Sequence, residues 1–129
     1  QKSLRREEGK MPTRKFNWDE IPAEQVTDKF SRKMIVGVNE MLCWLELKPG
    51  CLVPLHAHEN EQISHVLKGR LRFVVDGEMI EVGPGETLLI PPNAPHSAEV
   101  LGDETVYDYD IFSPIRSDWL DGTDDYLKK

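Results

Sequence analysis

The sequence predicts a single all-β domain, a sandwich or barrel of many short strands, on three observations. Residues 41–47 alternate, with Met41, Cys43, Leu45 and Leu47 on one face and Leu42, Trp44 and Glu46 on the other, which is the period of a half-buried strand. Arg70 to Val75 and Glu78 to Val82 flank Asp76-Gly77, a pair that supplies the positive φ angles of a tight hairpin turn. Gly50, Gly69, Gly77, Gly83-Pro84-Gly85, Pro91-Pro92 and Gly102-Asp103 then punctuate the chain at intervals of strand plus turn, the rhythm of a β-sandwich or barrel.

The other elements follow in order. At 129 residues the chain has room for one domain with a real core. Residues 1–15 are polar and lack periodicity, so they read as an N-terminal arm, with residues 16–129 as the domain. The regular strand pattern begins near Phe30. One short helix is predicted near the C-terminus, where Ser117 is placed to cap Asp118-Trp119-Leu120 ahead of Gly122.

A net charge of −7 argues against binding to nucleic acid or anionic membranes, which are held through basic surface. No run approaches the ~18 apolar residues that span a bilayer. The basic residues near the start, Lys2, Arg5, Arg6, Lys10, Arg14 and Lys15, read as part of a solvated arm. Cys43 and Cys51 sit in apolar, strand-like context and make no disulfide framework, which points to the reducing cytoplasm.

His56 and His58 are two apart in a predicted strand, so their side chains share a face. Alone the pair is a weak signal, because such pairs are common without a ligand role. Its surroundings are more specific. Gly50, five residues, His56-Ala57-His58, three residues, Gln62, six residues and Gly69 form one stretch, and Gly85, five residues, Pro91, Asn93 and His96 form a second. Together they resemble the two motifs of the cupin superfamily. Gln62 stands where that pattern has Glu, Asn93 where it has Gly, and Val100 where it ends in Asn.

The resemblance implies a single cupin barrel, a double-stranded β-helix or jelly roll, holding one divalent ion with His56, His58, Gln62 and His96. Glu59 and Glu61 are the other candidates for the oxygen ligand. Alternation puts Glu61 and Gln62 on opposite faces, and the spacing to Gly69 selects Gln62. Three imidazoles and an amide leave the charge of the ion uncancelled, which favours Lewis-acid chemistry on an anionic substrate. Zn, Ni, Fe and Mn all suit such ligands. His65 lies an odd number of residues from Gln62 and is expected to face away.

Val106 to Phe112 form a second constellation, with Asp108, Asp110 and Phe112 on one face and Tyr107, Tyr109 and Ile111 on the other. Periodicity by itself favours the second set as buried and the aspartates as exposed. The run Asp110-Ile111-Phe112-Ser113-Pro114-Ile115-Arg116, then Ser117-Asp118-Trp119-Leu120, resembles the small cupins related to the pectin-degradation protein KdgF, as does His56 to Gln62. That group converts 4,5-unsaturated uronates, released by pectin and alginate lyases, into linear keto sugars.

Asp110, Phe112 and Arg116 match its active-site positions. The resemblance thus implies Asp110 and Arg116 as catalytic residues and Phe112 and Arg116 as substrate contacts. Asp110 would move a proton, Phe112 would wall the sugar, and Arg116 would bind a carboxylate; a surface ion pair is the alternative for Arg116. The partner implied is a small anionic substrate, a sugar acid, and the assembly implied is a homodimer. Two rival readings are a metal-dependent dioxygenase of a small phenol or diketone, and a non-catalytic cupin that binds metal and ligand.

Overall fold

A computed structural model describes residues 12–124 and Tyr126. A 3₁₀ turn at Trp18–Glu20 leads into ten strands: β1 (Glu24–Thr27), β2 (Phe30–Val36), β3 (Met41–Leu47), β4 (Leu52–His56), β5 (Glu61–Lys68), β6 (Arg70–Val75), β7 (Glu78–Val82), β8 (Thr87–Ile90), β9 (His96–Leu101) and β10 (Val106–Ser113). A short helix, α1 (Ser117–Asp121), follows. The strands form two antiparallel sheets, one of six in the order β1-β2-β3-β10-β5-β8 and one of four in the order β4-β9-β6-β7. The core lies between them, where Leu45 and Leu47 of β3, Val66 of β5 and Val106 of β10 meet Leu71 and Phe73 of β6.

The alternation expected of residues 41–47 is present, with Met41, Cys43, Leu45 and Leu47 buried. β6 and β7 pair as a hairpin through Asp76 (φ 49°) and Gly77 (φ 81°), the double left-handed turn that Asp-Gly accommodates. Gly69 serves a second purpose besides its φ of 82°: a Cβ there would lie 2.8 Å from Val106 Cγ2. Asn93 takes a φ of 68° in place of the motif glycine, a conformation its short polar side chain tolerates.

The structure corrects the periodicity reading of β10. Asp108 pairs with Leu45 and Val66, Asp110 with Cys43 and Ser64, and Phe112 with Met41 and Gln62. Residues directly opposite share a face, so these buried partners carry Asp108, Asp110 and Phe112 into the barrel, where all three are buried. Tyr107 and Tyr109 lie on the outer face with Trp44, and the Trp18 ring packs 5.8 Å from both Trp44 and Tyr109. Ile111, on the same face, is exposed.

Other boundaries also move. β4 ends at His56, so His58 lies in the following loop and not in the strand. β1 and the 3₁₀ turn precede Phe30. Ser117 is the first residue of α1; the cap position falls on Arg116, which makes no side-chain capping bond, while Gly122 closes the helix at φ 80° as its sequence position suggests. Pro12 to Lys15 are exposed, and the rest of the expected arm lies outside the described residues. No described helix is long and apolar enough to cross a membrane.

Beyond α1 the chain returns to β2. Asp124 Oδ2 accepts from Arg32 Nη1 at 2.8 Å with both side chains fully buried, while Glu24 takes Arg32 Nε at 2.8 Å. The Arg32 guanidinium also lies 4.3 Å from the Trp119 ring centroid. Removing one partner of a buried ion pair leaves a charge uncompensated. Asp124→Ala is therefore expected to destabilise the fold by about 3 kcal/mol, the low end for such a loss because Glu24 remains. Urea denaturation checks it, and an unchanged midpoint would assign Arg32 wholly to Glu24.

Candidate metal centre

His56 ends β4, His96 begins β9 opposite it, and His58 reaches in from the loop between β4 and β5. Their ligand atoms lie within 4.8 Å of one another. A side-chain anchor sets the loop in place: Asn60 Nδ2 donates to Pro114 O (2.6 Å) and Ile115 O (3.2 Å). The loop is thereby tied to the segment that carries Arg116.

Each imidazole has its tautomer set by a backbone carbonyl. Nδ1 of His56 bonds Pro54 O at 2.7 Å, Nδ1 of His58 bonds Asn60 O at 3.0 Å, and Nδ1 of His96 bonds Ala94 O at 2.8 Å. A carbonyl only accepts, so each Nδ1 carries the proton and each Nε2 presents a lone pair. Burial lowers all three pKa values, His56 to about 3 and His58 to about 4. The rings are neutral at physiological pH, as ligation requires.

Gln62, buried on β5, faces the same space. Its Nε2 donates to Ser64 Oγ (3.0 Å) and to Asp110 Oδ2 (3.3 Å), which orients the amide with Oε1 toward His58. Oε1 lies 3.1 Å from His58 Nε2. With His58 protonated on Nδ1, two lone pairs face each other with no proton between them, an arrangement that a cation between them resolves. His96 Nε2 is buried without a hydrogen-bond partner, which is the same signature. The donor set therefore fits a divalent ion of the Zn, Ni, Fe or Mn kind.

A cavity of about 40 Å³ adjoins these groups, and its walls include His56, Gln62, His96, Asp110, Phe112 and Arg116. Ser64 Oγ donates to Asp110 Oδ1 at 2.6 Å. Burial raises the Asp108 carboxyl well above its ordinary range, the neighbouring Asp110 charge raises it further, and burial raises Asp110 as well. Arg116 is buried and not at the surface. Its Nε and Nη2 grip Asp118 at 2.8 and 2.7 Å, Nη2 also reaches Tyr126 Oη at 2.7 Å, and Nη1 is buried without a partner. The ion pair weighed from the sequence thus exists and lines the cavity at the same time.

Glu59 and Glu61 are exposed. His65 stays outside the cluster, its Nδ1 2.7 Å from Thr87 Oγ1. Cys43 and Cys51 are buried free thiols, and burial raises both, Cys51 to about 11. Sequence reasoning passed over Ser64, which alternation from Gln62 puts on the inner face. It also passed over Tyr126, for which no local pattern exists. The Tyr126 ring stacks on His56 at 4.2 Å and 20°.

Comparison with known proteins agrees with this geometry. Residues 43–112, more than half of the chain, match the cupin domain family. KdgF from Halomonas sp. superposes with a TM-score of 0.77 at 25% identity, over 84% of this chain and 99% of that one. An RmlC-like cupin from Shewanella frigidimarina gives a TM-score of 0.73 at 25% identity, over 78% of this chain and 90% of its own. An uncharacterised protein of Methanocaldococcus jannaschii is 37% identical over 68 residues, 52% of this chain. The match spans 54%, about half, of that relative's length.

Because these rings take up a second proton only well below neutrality, metal affinity is expected to stay flat from about pH 8 to about pH 5 and to fall below that. The lowered pKa values set the sign: the neutral, ligating form persists until pH approaches about 4 for His58 and about 3 for His56. Competition titrations with a chromophoric chelator measure this, with His58→Ala expected to lose most of the bound metal. Affinity falling through pH 6.5 would mean that the rings are solvated.

Proposed function

The chain belongs to the cupin family, and on that premise we propose that it is a metal-dependent enzyme of small sugar acids, opening 4,5-unsaturated uronates to linear keto sugars. The observation that carries the reading is the meeting of Asp110, Phe112 and Arg116 with the histidine cluster around one cavity. The likeness to KdgF from Halomonas sp. over nearly all of that protein's length supports it. The ion is assigned to His56, His58, His96 and Gln62, and when bound it supplies a Lewis acid whose charge no carboxylate cancels.

The chain's own residues divide the remaining work. Arg116 binds the substrate carboxylate through what Asp118 leaves of the fork, namely Nη1, which has no partner, and the second position on Nη2 that Tyr126 Oη fills at 2.7 Å. Phe112 walls the sugar and lies 5.0 Å from the Arg116 guanidinium. Asp110 handles the proton. The reaction protonates an enol-ether carbon, and water adds to the neighbouring oxocarbenium carbon with loss of a proton to give a hemiketal. The hemiketal opens as its hydroxyl proton passes to the ring oxygen, so each step needs an acid/base in the cavity. Ser64 holds Asp110 Oδ1, so the carboxyl is oriented before substrate arrives.

The two buried free thiols fit the cytoplasm in which we place the protein. We also place it in a homodimer. The outer face of the larger sheet offers a row of apolar side chains in register across five strands, Ile35, Leu42, Ile111, Ile63 and Leu89, suited to burial against a second copy.

The test is turnover of an unsaturated uronate by metal-loaded protein. Asp110→Asn is expected to lower kcat by about 10²–10⁴-fold, the usual worth of a positioned acid/base, with metal content unchanged. Full activity in that variant, or none in the wild type, would end the assignment.

A further inference from the structure

We propose that Tyr126 is a specificity-determining residue of the candidate site, holding the seat between His56 and Arg116 that an anionic ligand would take and so limiting the size of acid that reaches the centre. The proposal rests on the reading that this cavity receives a small acid. Three observations carry it. The phenol ring covers the face of His56, with centroids 4.2 Å apart and planes 20° from parallel. Its Oη sits 2.7 Å from Arg116 Nη2 and 3.2 Å from Trp119 Nε1, as a carboxylate oxygen would sit. With the ring in place the cavity is only about 40 Å³.

That volume decides which ligands fit. One water needs about 10–15 Å³ on this scale, so the inner space takes a few atoms and a six-carbon acid seated there meets Tyr126. Formate reaches the centre with Tyr126 where it is, whereas a larger acid must displace the phenol. The exchange at Arg116 favours such an acid, because a carboxylate bonds a guanidinium more strongly than a neutral phenol does. Each acid thus balances the contacts it gains against the stack and two hydrogen bonds that Tyr126 gives up. Small anions avoid this cost, and bulky ones pay it in full unless they replace both interactions.

The experiment uses the full chain loaded with Co(II), whose visible bands report anion binding. Wild type, Tyr126→Phe and Tyr126→Ala are titrated with formate and benzoate, and the readout is the ratio of benzoate to formate Kd. Tyr126→Ala is expected to lower that ratio at least ~10-fold, the equivalent of about 1.4 kcal/mol. Tyr126→Phe keeps the ring and loses the hydrogen bonds, so a drop of about threefold is expected, within the worth of one such bond. A ratio unchanged in both variants overturns the proposal, and if the alanine variant fails to hold cobalt, the phenylalanine variant decides on the same ratio. A separate galacturonate titration tests the underlying reading. If galacturonate binds none of the three proteins while the benzoate ratio shifts, the sugar-acid assignment fails and the role of Tyr126 stands.

Discussion

Each imidazole of the cluster commits its Nδ1 proton to a backbone carbonyl two residues away, on Pro54, Asn60 or Ala94. That commitment turns three Nε2 lone pairs into one space, and the Gln62 amide, locked by Ser64 and Asp110, adds an oxygen lone pair. In a low-dielectric interior, facing acceptors with no donor between them are costly. The barrel thus holds a donor set that a cation between these groups would satisfy. Such orienting bonds typically govern metal affinity by factors of about 10–100 when removed.

The same constraint explains why so much polarity lies inside a small barrel. Gln62, Ser64, His96, Asp108, Asp110 and Arg116 are all buried, and unpaired burial of such groups costs free energy. Gln62, Ser64 and Asp110 satisfy one another, Arg116 turns to Asp118 and Tyr126, and His96 Nε2 and Asp108 Oδ1 are left without a partner. β10 matters most here, because it runs between β3 and β5 and carries Asp108 against Leu45 and Val66 and Asp110 against Cys43 and Ser64. The C-terminal segment closes the arrangement. Trp119 receives Arg32 at 4.3 Å and Arg116 at 4.9 Å from its ring centroid, so the ion pair that anchors the tail and the cation that lines the cavity share one aromatic surface.

Much of this was legible in the sequence where the physics is local. Alternation identified β3, Asp-Gly identified the β6–β7 turn, and the spacing of His56, His58 and His96 among motif glycines pointed to the cluster. β10 was not legible from period alone, because alternation defines two faces without saying which is inside. Its tyrosines look more buriable than its aspartates until the register with β3 and β5 is known. His58 reaches the centre from a loop anchored by Asn60, so shared strand direction was the wrong reason for the right residue. Asp124 and Tyr126 left no trace, since they act through contacts with residues distant in sequence. Arg116 was read as either surface pair or site residue, and the fork of a guanidinium lets it be paired on one edge while open at Nη1.

X-ray absorption at the edge of the bound metal reads the centre directly in the zinc-loaded protein. Three imidazole nitrogens and one oxygen at about 2.0–2.2 Å are expected, the nitrogens being Nε2 of His56, His58 and His96. A sulfur neighbour near ~2.3 Å, or fewer than three imidazoles in the wild type, would contradict the site on which the proposed chemistry depends.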